Sequence, residues 1–365
     1  MRKLLLFAPI LAFATNGDNL IGAGAISRGL AGSGISSFIG AESIFLNPAT
    51  LSQAKTRKIE GGLTLFMPNV HAKSGHSDGK WHKSEAPKEY IPYLGYLQPL
   101  QGGQAIGMGL FSVSGMGVKY PQELASMKTS FKYAKCAFAY ALSKGNLRLG
   151  AAVHLALAKL EMDANLPNPR GGKESLDAGL GYQLGMLYHT GALQLGLTYT
   201  SKTPMSYKGV FDFNGDGQKD TFKLTQPSEL GIGATYALGR TRFYLQWKRI
   251  AWSKARGYKE FGWKDQRILA LAFEHRFPRI DLRGGLNFSS SPLGSFKDSQ
   301  RAFFNIVGFP AISKRHYSLG LGYALDPKTK IELAYVYSPK ERISSLGFEA
   351  TNRQHSLSVG VSYVF

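Results

Sequence analysis

The 365-residue chain carries 44 Lys and Arg against 24 Asp and Glu, a formal charge of +20, with 43 Gly and a single Cys. One cysteine excludes an intrachain disulfide scaffold, and 44% hydrophobic with 12% aromatic residues excludes a disordered chain. The one long apolar run, residues 4–14, falls short of the roughly 20 residues of a spanning helix, which excludes a helical membrane protein.

Arg2 and Lys3 precede that run, which ends in Ala12-Phe13-Ala14. This charged, hydrophobic, small-x-small order predicts a secretory signal peptide over residues 1–14, with the mature chain starting at Thr15. No Cys stands at the cleavage region to carry a lipid. Residues 15–56 change character. The run from Gly22 to Gly34 shows no strand alternation and lacks the G-x-x-x-x-G-K-[ST] of a phosphate loop, so small residues packing a compact plug are expected there.

From residue 57 onward a period of two dominates, and successive side chains of a strand face opposite sides. Leu180, Tyr182, Leu184 and Met186 share one face, as do Leu193, Leu195, Leu197 and Tyr199. Tyr317, Leu319, Leu321, Tyr323 and Leu325 are opposed by Ser318, Gly320, Gly322 and Ala324. Ile331, Leu333, Tyr335 and Tyr337 repeat the pattern, and so do Leu357, Val359, Val361, Tyr363 and Phe365. A soluble sandwich would bury the apolar face under a second sheet. Here the other face is Gly, Ala and Ser with scattered charges, which suits a crowded or wet lumen. Aromatics also collect at strand ends, where outer-membrane barrels carry their girdles. Short turns at 101–103, 143–146, 189–191, 239–240, 278–279 and 326–328 alternate with longer loops near 68–88, 117–129, 162–175, 212–225, 251–262, 290–314 and 338–351. The expectation is an all-β fold: an antiparallel transmembrane β-barrel of about fourteen strands over residues 57–365, plugged by an N-terminal hatch.

Arg28-Gly29-Leu30-Ala31-Gly32 followed by Asn47-Pro48-Ala49 resembles the hatch of the FadL/TodX family, outer-membrane transporters of long-chain fatty acids and other hydrophobic compounds. The similarity continues in Gln226-Pro227-Ser228-Glu229, in Gln246-Trp247 with Trp252-Ser253, and in Arg283-Gly284-Gly285-Leu286-Asn287. The resemblance implies passive transport in the bacterial outer membrane. A ligand would be captured outside, bound in the lumen beside the hatch, and released sideways through a gap made by a kink in the third strand. Such a protein is no enzyme and needs no cofactor. A monomer is expected, with a hydrophobic small molecule, outer-membrane lipid and lipopolysaccharide as partners, and no nucleic acid. An adhesin-type barrel without transport and an aromatic-hydrocarbon channel are the alternatives.

Gly115 and Gly117 mark where the third strand can bend, which places the lateral gap at Ser114, Gly115 and Gly117. A carboxylated cargo would need a partly buried cation, and the candidates on the small-residue face are Lys135, His154 and Lys248. The loops near 162–175 and 212–225 are shorter than the capture loops implied for fatty-acid members, a departure that bears on cargo. Asp212, Asn214, Asp216, Gln218 and Asp220 follow the spacing of a calcium loop with Gly217 at the sharp turn, although Lys223 stands where a bidentate Glu belongs. His71, His76 and His82 match no compact zinc spacing, and Cys136 shares a face with Phe138 and Tyr140.

Overall fold

Period-two alternation becomes a closed sheet in the computed structural model, which describes residues 15–166 and 169–365. The signal-peptide segment, residues 1–14, lies outside the described residues. The wall consists of fourteen antiparallel strands: β1 (Lys58–Ser74), β2 (Glu89–Pro99), β3 (Ala105–Lys119), β4 (Lys128–Lys144), β5 (Leu147–Asp163), β6 (Ser175–Thr190), β7 (Leu193–Thr200), β8 (Glu229–Leu238), β9 (Thr241–Ile250), β10 (Gln266–Arg276), β11 (Ile280–Ser289), β12 (Arg315–Ala324), β13 (Thr329–Ser345) and β14 (Phe348–Val364). Each pairs with its neighbours in chain order, and β14 returns to β1 from Phe348 opposite Ser74 to Val364 opposite Lys58. Closure satisfies the backbone groups that an open sheet would leave bare in lipid. No described helix is long and apolar enough to cross a membrane.

The apolar face of every strand points outward. Leu180, Leu176 and Leu319 are 76%, 72% and 65% exposed, while Ala156, Ala270 and Ser358 on the opposite parity are fully buried. Outward leucines need no partner sheet because lipid is their solvent.

One loop is not a loop. β13 and β14 continue through the stretch 338–351, joined by a turn of Leu346 and Gly347, both at positive φ. A bulge between Ser338 and Glu341 and ion pairs of Glu349 with Arg342 and Lys73 hold this polar extension together. Its charges read as loop because the strands have left the apolar zone there.

Residues 15–54 are buried or half-buried and pack against inward-facing side chains around the barrel. A two-residue hairpin (Thr15–Asn16 with Asn19–Leu20) leads into the short helices α1 (Ala25–Gly29) and α2 (Ser43–Leu46) and a 3-10 segment, Pro48–Gln53. The Glu42 carboxylate holds α1 in place, accepting from the backbone N–H groups of Gly24 at 2.9 Å, Ile26 at 2.8 Å and Ser27 at 3.0 Å. These are donors that the first turn of a helix leaves unsatisfied.

Beside the short turns, inward charges form one network. Arg283 bonds Glu274 and Asp281 at 3.0 Å and Glu332 at 2.5 Å, and Lys330 joins Asp281 and Glu332. Removing one partner from a buried ion cluster strands the others, at a cost of about 3–5 kcal/mol. Arg283→Ala is therefore expected to lower the temperature at which the folded barrel loses its fast electrophoretic mobility. An unchanged transition would show that the cluster contributes nothing to stability.

Candidate ligand passage

Asn47, Pro48 and Ala49 sit against the wall where glycines make room. The Asn47 side chain donates to the carbonyls of Ile35 at 2.7 Å and Met186 at 3.2 Å, and accepts from the N–H of Ala49 at 3.1 Å, capping the segment that Pro48 begins. A Cβ at Gly185 would overlap the Asn47 amide oxygen, and one at Gly150 would overlap the Ala49 nitrogen. Hatch motif and strand glycines are thus two halves of one fit, separated by more than a hundred residues.

The wall opens beside this segment. β2 and β3 pair only from Pro99 opposite Ala105 to Tyr93 opposite Phe111. Beyond that pair β2 continues against β1 alone. Contact resumes where Glu85 N–H donates to the Lys119 carbonyl at 2.8 Å and Lys119 N–H donates to Ser84 Oγ at 3.0 Å. Between these points β3 has no wall strand on its β2 side, and only the N-terminal hairpin meets it, with Asn19 pairing opposite Ser114. The turn of the N-terminal hairpin fills part of the space: Gly115 N–H and Ser114 Oγ donate to the Asp18 carbonyl at 3.0 and 3.1 Å.

Ser114, Gly115 and Gly117 all lie on this open edge, but the bend originates one residue earlier. Pairing with β4 slips between Ser112 opposite Ala134 and Ser114 opposite Tyr133, leaving Val113 as a bulge. A β-branched residue inside a strand gives no sequence signal of a bulge. Gly117 has a different task, since a Cβ there would lie 2.7 Å from the Thr129 carbonyl oxygen on β4.

Inside, a cavity of about 50 Å³ is lined by Asn19, Phe45, Tyr133, Lys135, Glu229 and Lys248, among others. The structure brings Lys135 and Lys248 together there, and leaves His154 outside the lining. Lys248 is paired with Glu229 at 2.9 Å, and Glu229 also accepts from the Asn19 amide at 2.9 Å. Lys135 has no ion-pair partner among the described residues and lies over the rings of Phe45 at 5.5 Å and Tyr133 at 5.8 Å. His154 is buried, 3.5 Å from Thr203 Oγ1.

A second void of about 40 Å³ lies toward the outer loops and meets Asp18, Met116, Phe131, Tyr258 and Trp263. Sequence reasoning missed it. Its rings come from β4 and from outer loops far apart in sequence, and no local pattern brings them together.

The loop at 212–220 turns its acidic oxygens on its own backbone. Asp212 accepts from Gly215 and Gly217 N–H at 2.6 and 3.0 Å, Asp216 accepts from Gln218 N–H at 2.8 Å, and Asp220 accepts from Phe213 N–H at 2.9 Å. Asn214 is engaged with Asp216, and the Arg170 guanidinium packs beside Gly215. Among the described residues no three His, Cys, Asp or Glu side chains converge as a metal site.

A closed fourteen-stranded wall whose β2 and β3 part beside a buried N-terminal segment is specific enough to compare. The sequence matches the model of the outer membrane protein transport protein family (OMPP1/FadL/TodX) over residues 8–361. The chain belongs to this family. Among solved structures it is similar to the Pseudomonas putida toluene transporter TodX, with a TM-score of 0.75 and 20% identity over 94% of this chain and 99% of that one. A Pseudomonas aeruginosa FadL homologue gives a TM-score of 0.77 and 14% identity, covering 96% of this chain and all of that one. The Ralstonia pickettii toluene transporter TbuX gives 0.73 and 16%, over 94% and 99%. Comparison with curated protein sequences finds no match. As a FadL/TodX family member, the protein is an outer-membrane channel for hydrophobic small molecules and not an enzyme.

Proposed function

We propose that residues 15–56 act as a hatch, and that a small hydrophobic compound binds beside it and leaves sideways through the edge of β3 that β2 leaves unpaired. The observation that carries this reading is the missing β2–β3 pairing beyond Tyr93 and Phe111, where the N-terminal hairpin meets β3. An apolar molecule gains roughly 25 cal/mol per Å² removed from water, so it partitions into lipid more readily than through a charged exit.

An aromatic hydrocarbon is the favoured cargo class. The voids are small, the outer one is lined largely by rings, and two of the similar structures are toluene transporters. A fatty acid is the second reading, favoured by the unpaired Lys135 ammonium. The exposed cations of the outer loops suit lipopolysaccharide phosphate as a surface partner. Liposomes carrying the protein are expected to take up labelled toluene faster than labelled oleate. Faster oleate uptake would reverse the cargo assignment, and uptake of neither would favour a surface-binding barrel.

A further inference from the structure

Asp18 puts a carboxylate where the aromatic void meets the wall opening. Its residue is 1% exposed, at the turn of the N-terminal hairpin. The backbone carbonyl is used by Gly115 and Ser114 of the open edge. One carboxylate oxygen, Oδ2, accepts from the Tyr258 hydroxyl, which in turn accepts from Gln226 Nε2 at 2.8 Å. The other oxygen, Oδ1, is buried and has no hydrogen-bond partner. The void it borders is mostly apolar, with Tyr258 and Asn305 the other polar residues: Met116 comes from the open edge of β3, Phe131 from β4, and Phe222, Phe261 and Trp263 from the outer loops.

A buried acceptor without a donor is costly, and native structures keep few of them. Asp18 is one of the residues lining a space bounded by rings. Burial pushes the Asp18 carboxyl up to about 6, against the opposing pull of the Tyr258, Ser114 and Gln226 side chains. As a carboxylate it only accepts, and its hydrogen bonds are stronger than neutral ones.

We infer that Asp18 is a specificity-determining residue whose free Oδ1 accepts a hydrogen bond from a hydroxyl or amino group on an aromatic cargo, selecting hydroxylated or aminated rings over plain hydrocarbons. The inference rests on the hydrophobic-cargo reading above. At about 40 Å³ the void is smaller than the roughly 150 Å³ of a protein cavity that holds benzene. Ring entry therefore requires side chains to swing aside, and Met116 and Met162 are the flexible ones in the lining. The same movement of Met116 would join the void to the wall opening. A site built to bond a donor discriminates strongly against an analogue lacking it, because the protein group is then left unpaired.

Equilibrium dialysis of purified protein against labelled toluene, p-cresol and 4-methylanisole tests this. The wild type is expected to bind p-cresol at least about tenfold more tightly than toluene, the scale of one hydrogen bond to a charged group. It should bind 4-methylanisole, which has an oxygen but no donor, no better than toluene. Asp18→Asn keeps an oxygen for Tyr258 and turns an N–H donor toward the void. In that variant the p-cresol advantage should collapse and 4-methylanisole should overtake toluene. Normal heat-modifiable mobility confirms folding of the variant, and the wild-type comparison stands without it. Equal wild-type affinity for toluene and p-cresol overturns the role of Asp18 alone, as does an undiminished p-cresol advantage in folded Asp18→Asn. Failure of the wild type to bind any of the three overturns the cargo reading as well.

Discussion

Gly115→Trp is expected to reduce uptake to the level of membranes lacking the protein, while leaving barrel assembly intact. Gly115 lies on the edge of β3 that β2 abandons, opposite Lys132 of β4, which is exposed on the outside of the barrel. An indole there would project over the outer mouth of the opening. The backbone tolerates it: Gly115 does not have positive φ, and a Cβ added there would meet its nearest obstacle, the Phe131 carbonyl oxygen, at 3.2 Å. A shift of a few tenths of an ångström relieves that contact, and tryptophan suits a strand. Uptake of labelled toluene into liposomes, beside electrophoretic mobility with and without heating, separates transport from assembly. Full uptake by a correctly folded variant would move the exit away from β3.

The second large effect is expected at a glycine with no ligand near it. Gly185→Val would drive a side chain into the Asn47 amide, which spans from the hatch to the Met186 carbonyl of β6. Each buried polar group left unsatisfied costs about 1–3 kcal/mol, and Asn47 serves Ile35, Ala49 and Met186 together. The hatch should loosen while the wall holds, because β6 keeps its ladders to β5 and β7. Planar-bilayer recordings should then show ion conductance that the wild type lacks, and cells should become sensitive to bulky antibiotics. A silent Gly185→Val channel would mean that Asn47 does not seat the hatch.

Much of the wall was legible because lipid and lumen impose opposite demands on alternate residues. Leu319 and Ser318 cannot exchange faces, so the pattern survives without any knowledge of partners. The polar extension at 338–351 was missed for the same reason: outside the apolar zone both faces are polar, and only the pairing of Thr351 with His71 and Arg342 makes it strand. The site divided along similar lines. Lys135 and Lys248 share a cavity as their parity suggested, whereas His154 has the right parity and lies outside the lining. The calcium-like spacing at 212–220 specifies turns equally well, and there the carboxylates satisfy their own loop's N–H groups.

Sequence alone determined that this is a β chain with a greasy exterior, its alternation of short turns and long loops, and the hatch motif that points to its family. These are local properties, carried by side-chain periodicity and short motifs. Glycines at 115 and 117 marked the region in sequence, but tertiary structure alone decided that β2 and β3 part beyond Tyr93 and Phe111, because a missing pairing is a relation between two strands. It also decided that Val113 bulges, that Gly150 and Gly185 are cut to fit Asn47-Pro48-Ala49, and that Asp18 meets Tyr258 across 240 residues. Each depends on which surfaces closure of the barrel brings face to face.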